Sequence, residues 1–318
     1  MERMESADDV RASLAVLPLA DLRPHEQTSA SAEAGVRDLL LDAGVLSWPL
    51  IVDAGSGLIL DGTHRAVVLA RDLGARWALV QRVELDAPSV RVGTWCRVLE
   101  GVAQPAFDHA RRALGLERGG SPELRCHYAG RVYTRPGVGA LEAHGLVQTL
   151  ERLLSSNGHA VRARLVEEEA VGPWLQSAEV VVLRPPAMDK ATVGRRADGA
   201  LWPPKSTRFV LPYRVVGLDI PLAALGGSRD SLVARLEHER ARLFLCLGAG
   251  LSVDRRYPER LWQVAGYRAP DRLFADEASR RAYADALARA DLATPPPDPG
   301  SPSRQRPQGY QDRQGCQA

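Results

Sequence analysis

Short apolar runs separated by small polar turns mark the N-terminal part of the chain, and within Pro49 to Gly74 their spacing changes from that of strands to that of a helix. Leu50-Ile51-Val52 and Leu58-Ile59-Leu60 flank Asp53-Ala54-Gly55-Ser56-Gly57, which predicts a hairpin, and Ala66-Val67-Val68-Leu69-Ala70 continues with helical periodicity. The polar run Asp61-Gly62-Thr63-His64-Arg65 therefore falls at a helix N-terminus. Upstream, a polar and frayed stretch from Met1 to Arg11 precedes a strand over Leu14 to Leu19, which Arg23-Pro24 turns. Ala34 to Ala43 predicts an amphipathic helix closed by Gly44 as a C-cap, and Trp48 bridges helix and sheet. Trp77 to Val83 adds a strand and Val90 to Val98 continues the domain, giving a small mixed sheet with helices on it.

Farther along, Ala103 to Gly120 is helix-like and ends at Gly119-Gly120, a natural hinge. Arg131 to Tyr133, Ala160 to Leu165 and Glu179 to Leu183 predict strands, and Gly145 to Asn157 predicts a helix closed by Asn157-Gly158. Ser228-Arg229-Asp230 caps a long helix over Ser231 to Leu245, which Gly248 to Gly250 ends, and a further helix covers Asp276 to Asp291. From Thr294 the chain is rich in Pro, Gln and Arg with hardly any apolar residues, the composition of a disordered tail. The expected organisation is an α/β (α+β) protein with a first domain over 12–118, a second α/β domain over 119–292 and a tail over 293–318.

Composition narrows the function classes. The 318 residues carry a formal net charge of +2 with both signs interspersed, so no strong field for nucleic acid is built. Cys96, Cys126, Cys246 and Cys316 are scattered without C-x-x-C spacing, which points to neither a disulfide framework nor a zinc site and makes a reduced cytoplasm the simplest compartment. No 18-residue apolar run exists and Met1 to Glu5 lacks a signal-peptide core, so a soluble, unexported protein is expected. Gly137-Val138-Gly139 has no preceding apolar strand and no third glycine in register, and neither a P-loop nor the protein-kinase motif set is present.

Three places carry candidate chemistry. At Asp61 to Arg65 the helix N-terminus favours an anion, Gly62 lets it approach the backbone, and Thr63, His64 and Arg65 add donors. Asp61 can hold a Mg²⁺ or serve as a helix cap. Glu26, in a polar loop after a strand, is placed to be a general base, though by position alone it reads first as a surface carboxylate. Lys205-Ser206-Thr207-Arg208, stiffened by Pro203-Pro204, gathers two cations and two hydroxyls, with which a free amino acid can be held: Arg208 to its carboxylate, Thr207 by a hydrogen bond, Lys205 to a phosphate. The same run also reads as a basic surface loop, and Trp95 as a core residue.

Pro18 to Glu26, Trp48 to Asp53, Leu60 to Arg65 and Trp95, taken in this order, resemble the ParB/sulfiredoxin-like family, and specifically its free L-serine kinase branch. Pro24-His25-Glu26, Asp61 to Arg65 and Pro203 to Arg208 match that branch's three motifs, and the likeness spans roughly Leu14 to Leu225. The resemblance implies phosphorylation of free serine to O-phosphoserine with ATP or ADP and Mg²⁺, in amino acid metabolism that supplies a siderophore or another natural product; charge and the lack of an apolar span lead to no nucleic-acid or membrane partner being expected. It makes Glu26 the base, places Asp61 and His64 in catalysis, gives the phosphates and metal to Asp61, Gly62, Thr63, His64 and Arg65, and gives serine to Trp95, Lys205, Ser206, Thr207 and Arg208. Thr63 and Phe209 stand where the branch usually has histidines. The alternative is a ParB-like nucleotide-binding regulator without turnover, although Gly62-Thr63-His64-Arg65 is only half of ParB's G-E-R-R loop; sulfiredoxin needs a cysteine where Thr63 stands.

Overall fold

The computed structural model describes residues 5–120, 123–155, 161–194, 199–247, 259–268 and 277–293. They form two compact units, one from the described residues of Met1–Val90 and Val210–Cys316, the other from those of Arg91–Phe209.

In the first unit, helix α1 (Ala7–Ser13) begins with a capping box in which the Ser6 hydroxyl and the Asp9 carboxylate serve each other's backbone N–H groups. The frayed start expected up to Arg11 is thus helical from Ala7, because that box outweighs the polar composition. Strand β1 (Leu14–Pro18), helix α2 (Ala30–Ala43), and strands β2 (Val45–Leu46), β3 (Leu50–Asp53) and β4 (Ile59–Asp61) follow, then helix α3 (Thr63–Arg71) and strand β5 (Trp77–Val83). Ser29 caps α2 and Gly44, at φ 66°, ends it in the left-handed conformation read from the sequence. The sheet order is β1-β5-β3-β4: β1 runs antiparallel to β5, β3 parallel to β5, and β3 and β4 form the expected hairpin.

The second unit is organised on β6 (Arg91–Glu100), followed by helix α4 (Gln104–Ala113), strands β7 (Glu117–Arg118), β8 (Arg125–Tyr128) and β9 (Arg131–Thr134), helix α5 (Ala140–Ser155), strands β10 (Arg162–Glu167) and β11 (Val180–Arg184), helix α6 (Lys190–Gly194) and strand β12 (Thr207–Val210). Their sheet runs β10-β6-β11-β8-β9-β7, with β12 also paired to β6. One face buries Leu99, Cys126, Val181 and Leu183 against α4 and α5, where Phe107 stacks on Tyr128 at 4.3 Å between ring centroids. The helix expected over Ala103 to Gly120 stops at Ala113; Gly115 takes φ 63°, and the chain leaves as β7 to pair with β9.

From β13 (Tyr213–Val216) the chain is again part of the first unit, with β14 (Ile220–Pro221), α7 (Leu222–Leu225), α8 (Arg229–Arg240), β15 (Leu243–Leu247), β16 (Arg260–Val264) and α9 (Glu277–Ala293). The compact units therefore divide the chain differently from the 12–118 and 119–292 spans read in the sequence. The cause is burial: Tyr213, Val215, Leu218, Ile220 and Leu225 share one core with Leu14, Leu50, Val52 and Leu79. The fully buried Gln81 ties the two passes of the chain, donating to the Tyr213 carbonyl at 3.0 Å and accepting from the Val215 N–H at 3.1 Å. Leu243 to Leu245, expected as the end of a helix, instead belong to β15, a strand between the end of α8 and its partner β16. Asn157-Gly158, Gly248 to Gly250, Asp198 and the tail from Thr294 lie outside the described residues. Among the described residues no helix is long and apolar enough to cross a membrane.

Candidate active site

The hairpin delivers the polar loop to the start of α3 as its sequence requires. Gly62 is the N-cap, at φ 98°, and no side chain caps the helix, so Asp61 does not act as a cap. A Cβ at Gly62 would come within 2.7 Å of Leu50 Cδ2 and 2.8 Å of the Arg65 guanidinium, which makes glycine a requirement of both space and backbone conformation. The first-turn N–H groups have no partner within a helix of this kind, and the positive end of its dipole faces the loop. Thr63 is buried at the first helical position.

The charges around this loop are shared among protein groups. Arg65 donates to the Trp48 carbonyl at 2.6 Å and to the Pro49 carbonyl at 3.1 Å, and reaches Asp61 Oδ2 at 3.4 Å. Arg214 of β13 donates to the same oxygen at 2.9 Å and lies 3.5 Å from the Glu259 carboxylate. Arg214 and Glu259 were not singled out by the sequence reading; the only signal is a charged residue in the otherwise apolar strand Tyr213 to Val216. Trp48 packs against the Val216, Leu261 and Tyr267 cluster, the core role its position suggested.

Glu26 comes to the same end of this unit. The Arg23 backbone bridges Leu58 in parallel, the Ile59 N–H donates to the Arg23 carbonyl, and His25 Nδ1 meets the Ile59 carbonyl at 2.6 Å. Residues 23–26 therefore run alongside β4 in its direction, toward Asp61. Glu26, nearly buried, sits 3.6 Å from His25 Nε2. His64 Nε2 accepts a long hydrogen bond from the Ser29 N–H at 3.4 Å, which joins the starts of α2 and α3 and leaves the ring proton of a neutral imidazole on Nδ1. Behind them, the Thr28 hydroxyl and then Arg71, at 2.8 Å, hold the Glu33 carboxyl below its ordinary value.

In the second unit the other candidate residues cluster on β6 and β12. Trp95, Ser206, Thr207 and Arg208 are all buried, and the Trp95 N–H donates to the Ser206 carbonyl. The Arg208 guanidinium lies 5.2 Å from the centroid of the Trp95 ring and pairs with Glu167 at 2.9 Å, a carboxylate the sequence reading passed over. The Thr207 hydroxyl meets Met188 Sδ at 3.2 Å. Lys205 takes φ 58°, unusual for a residue with a side chain; Arg97 donates to its carbonyl at 2.9 Å and Gln148 to that of Pro204 at 2.6 Å. Phe209, at a position where the resemblance led to histidine, is buried.

Among the described residues no group of three His, Cys, Asp or Glu side chains is placed to hold a metal ion. The loop offers the single carboxylate of Asp61, a donor set that suits a Mg²⁺ arriving on nucleotide phosphates, which needs only one or two protein carboxylates.

Solved structures share this fold. SbnI from Staphylococcus aureus, truncated at its C-terminus, matches with a TM-score of 0.58 at 17% identity, over 74% of this chain and 97% of that one. A free serine kinase in complex with AMP matches with a TM-score of 0.57 at 22% identity, over 67% of this chain and 93% of that one. A conserved hypothetical protein from Pyrococcus furiosus matches with a TM-score of 0.55 at 22% identity, over 67% of this chain and 97% of that one. No protein-family model matches the chain, and no curated protein does. The mixed α/β architecture expected from the ParB/sulfiredoxin-like resemblance is the one found.

Proposed function

We propose that this protein is a small-molecule kinase that transfers a phosphoryl group from ATP or ADP to the hydroxyl of free L-serine, or of a related hydroxy amino acid, giving O-phospho-L-serine. The observation that supports the reading is the parallel run of residues 23–26 beside β4, the strand that ends at Asp61, on a fold shared with a free serine kinase solved with AMP and with ADP.

In-line transfer asks the protein mainly to position charge. The uncapped N-terminus of α3 and Gly62 receive the phosphates, His64 adds a donor, and Arg65 keeps the loop closed through the Trp48 and Pro49 carbonyls. Asp61 would hold Mg²⁺, which when bound to the nucleotide offsets phosphate charge. Glu26 accepts the hydroxyl proton as the bond from oxygen to phosphorus forms and the bond to the departing nucleotide breaks. Amino acid recognition is assigned to Trp95, Lys205, Ser206, Thr207 and Arg208, with Glu167 sharing the Arg208 charge.

One observation favours a second reading, a nucleotide-binding regulator without turnover: the Arg65 and Arg214 guanidiniums at the loop are engaged with protein groups. One experiment separates the two. Purified protein is incubated with Mg²⁺, ATP or ADP and a panel of hydroxy amino acids, and products are read by mass. Phosphorylated serine is expected; nucleotide binding with no phosphorylated amino acid overturns the kinase reading.

A further inference from the structure

We propose that Arg214 is a positioning residue of the nucleotide loop, fixing the Asp61 carboxylate from β13 while Glu259 fixes Arg214 from behind. The proposal rests on the reading that this loop binds nucleotide phosphates, and it holds whether or not transfer follows.

The four side chains make an alternating row: Arg65, Asp61, Arg214, Glu259. Arg214 makes the shorter of the two contacts to Asp61 Oδ2, 2.9 Å against 3.4 Å for Arg65, whose other donors go to the Trp48 and Pro49 carbonyls. The Arg214 and Glu259 side chains are 5% and 1% exposed, and the Leu211 N–H also donates to Glu259, at 3.3 Å. Buried ion pairs return little net stability against apolar residues of similar volume, because desolvation offsets the attraction. Such a pair is accounted for by what it orients, and here that is the one carboxylate in the phosphate loop. The contact joins residues 153 positions apart, so the loop's geometry depends on the C-terminal pass of the chain.

The test is calorimetric titration of full-length wild type, Arg214→Met and Arg214→Lys at neutral pH, once with ADP and Mg²⁺ and once with ADP alone, beside thermal denaturation of each protein. Arg214→Met should bind the Mg²⁺ complex about tenfold more weakly, the loss of one charge-assisted hydrogen bond, with a smaller loss for ADP alone, because it is the metal that reads the Asp61 carboxylate. Arg214→Lys should recover part of that affinity, because an ammonium keeps the charge and lacks the guanidinium fork. Wild-type affinity of Arg214→Met for the Mg²⁺ complex, or an equal loss with and without Mg²⁺, would overturn the proposal. Should that variant not fold, the lysine variant decides alone: a loss greater for the Mg²⁺ complex than for ADP alone supports the proposal, and wild-type affinity or an equal loss overturns it. Wild-type protein that binds no adenine nucleotide would instead overturn the reading beneath it.

Discussion

Gly62 carries the most demanding geometry in the loop. Its φ of 98° and the 2.7 Å approach of Leu50 to any added Cβ mean that Gly62→Ala must displace either the backbone or the hairpin. Strain of this kind costs roughly 1–3 kcal/mol, and thermal denaturation together with an ADP titration should report lower stability and weakened binding; a variant matching wild type in both would refute the packing described. The glycine, the helix start and the five-residue loop were all legible in the sequence, because local spacing determines them. Arg214 was not. It reaches Asp61 across 153 positions, and nothing in its own strand names the partner. Glu167 was hidden for a similar reason: within the acidic run Glu167 to Glu169 only the register of β10 on β6, which sets it opposite Trp95, selects the residue that meets Arg208.

Among the elements, the β3–β4 hairpin depends on one carboxylate. Burial raises the Asp53 pKa, but the Ser56 hydroxyl, the Leu85 N–H and the Ser56 and Gly55 N–H groups outweigh it and leave the value below the ordinary one. A carboxyl depressed in the folded state stabilises above its unfolded pKa and loses that contribution as pH falls through the folded value. Acid unfolding of the wild type should therefore steepen below about pH 4, and Asp53→Asn, less stable at neutral pH, should lose that part of the dependence; an identical pH profile in chemical denaturation would count against it. The hairpin was readable because its turn residues lie between its strands. Leu243 to Leu245 was misread as helix because a short apolar run is ambiguous by periodicity, and the partner β16 is what makes β15 a strand. The start of α1 was misread for the opposite reason: polar composition hid a capping box.

Across the whole molecule, the order of motifs was legible and the division into units was not, since the return of β13 to the first core is written in burial and not in any local signal. Cys96, Cys126 and Cys246 are buried; burial pushes the Cys96 and Cys246 thiols up to about 12 and that of Cys126 higher still. None of these three should react with a thiol alkylator in the native protein at neutral pH, and all should react in denaturant, as peptide mass mapping can check; native labelling at any of them would contradict this packing. The central claim is that Glu26 takes a proton from an alcohol while the α3 loop holds the phosphoryl donor. Its most direct measurement is transfer of a labelled terminal phosphate to free serine by wild type and by Glu26→Gln, with the nucleotide Kd determined for both. The account predicts label on serine with the wild type, a fall of about 10²–10⁴-fold in the variant and an unchanged Kd; undiminished transfer by Glu26→Gln, or no transfer to serine by the wild type from either nucleotide, would contradict it.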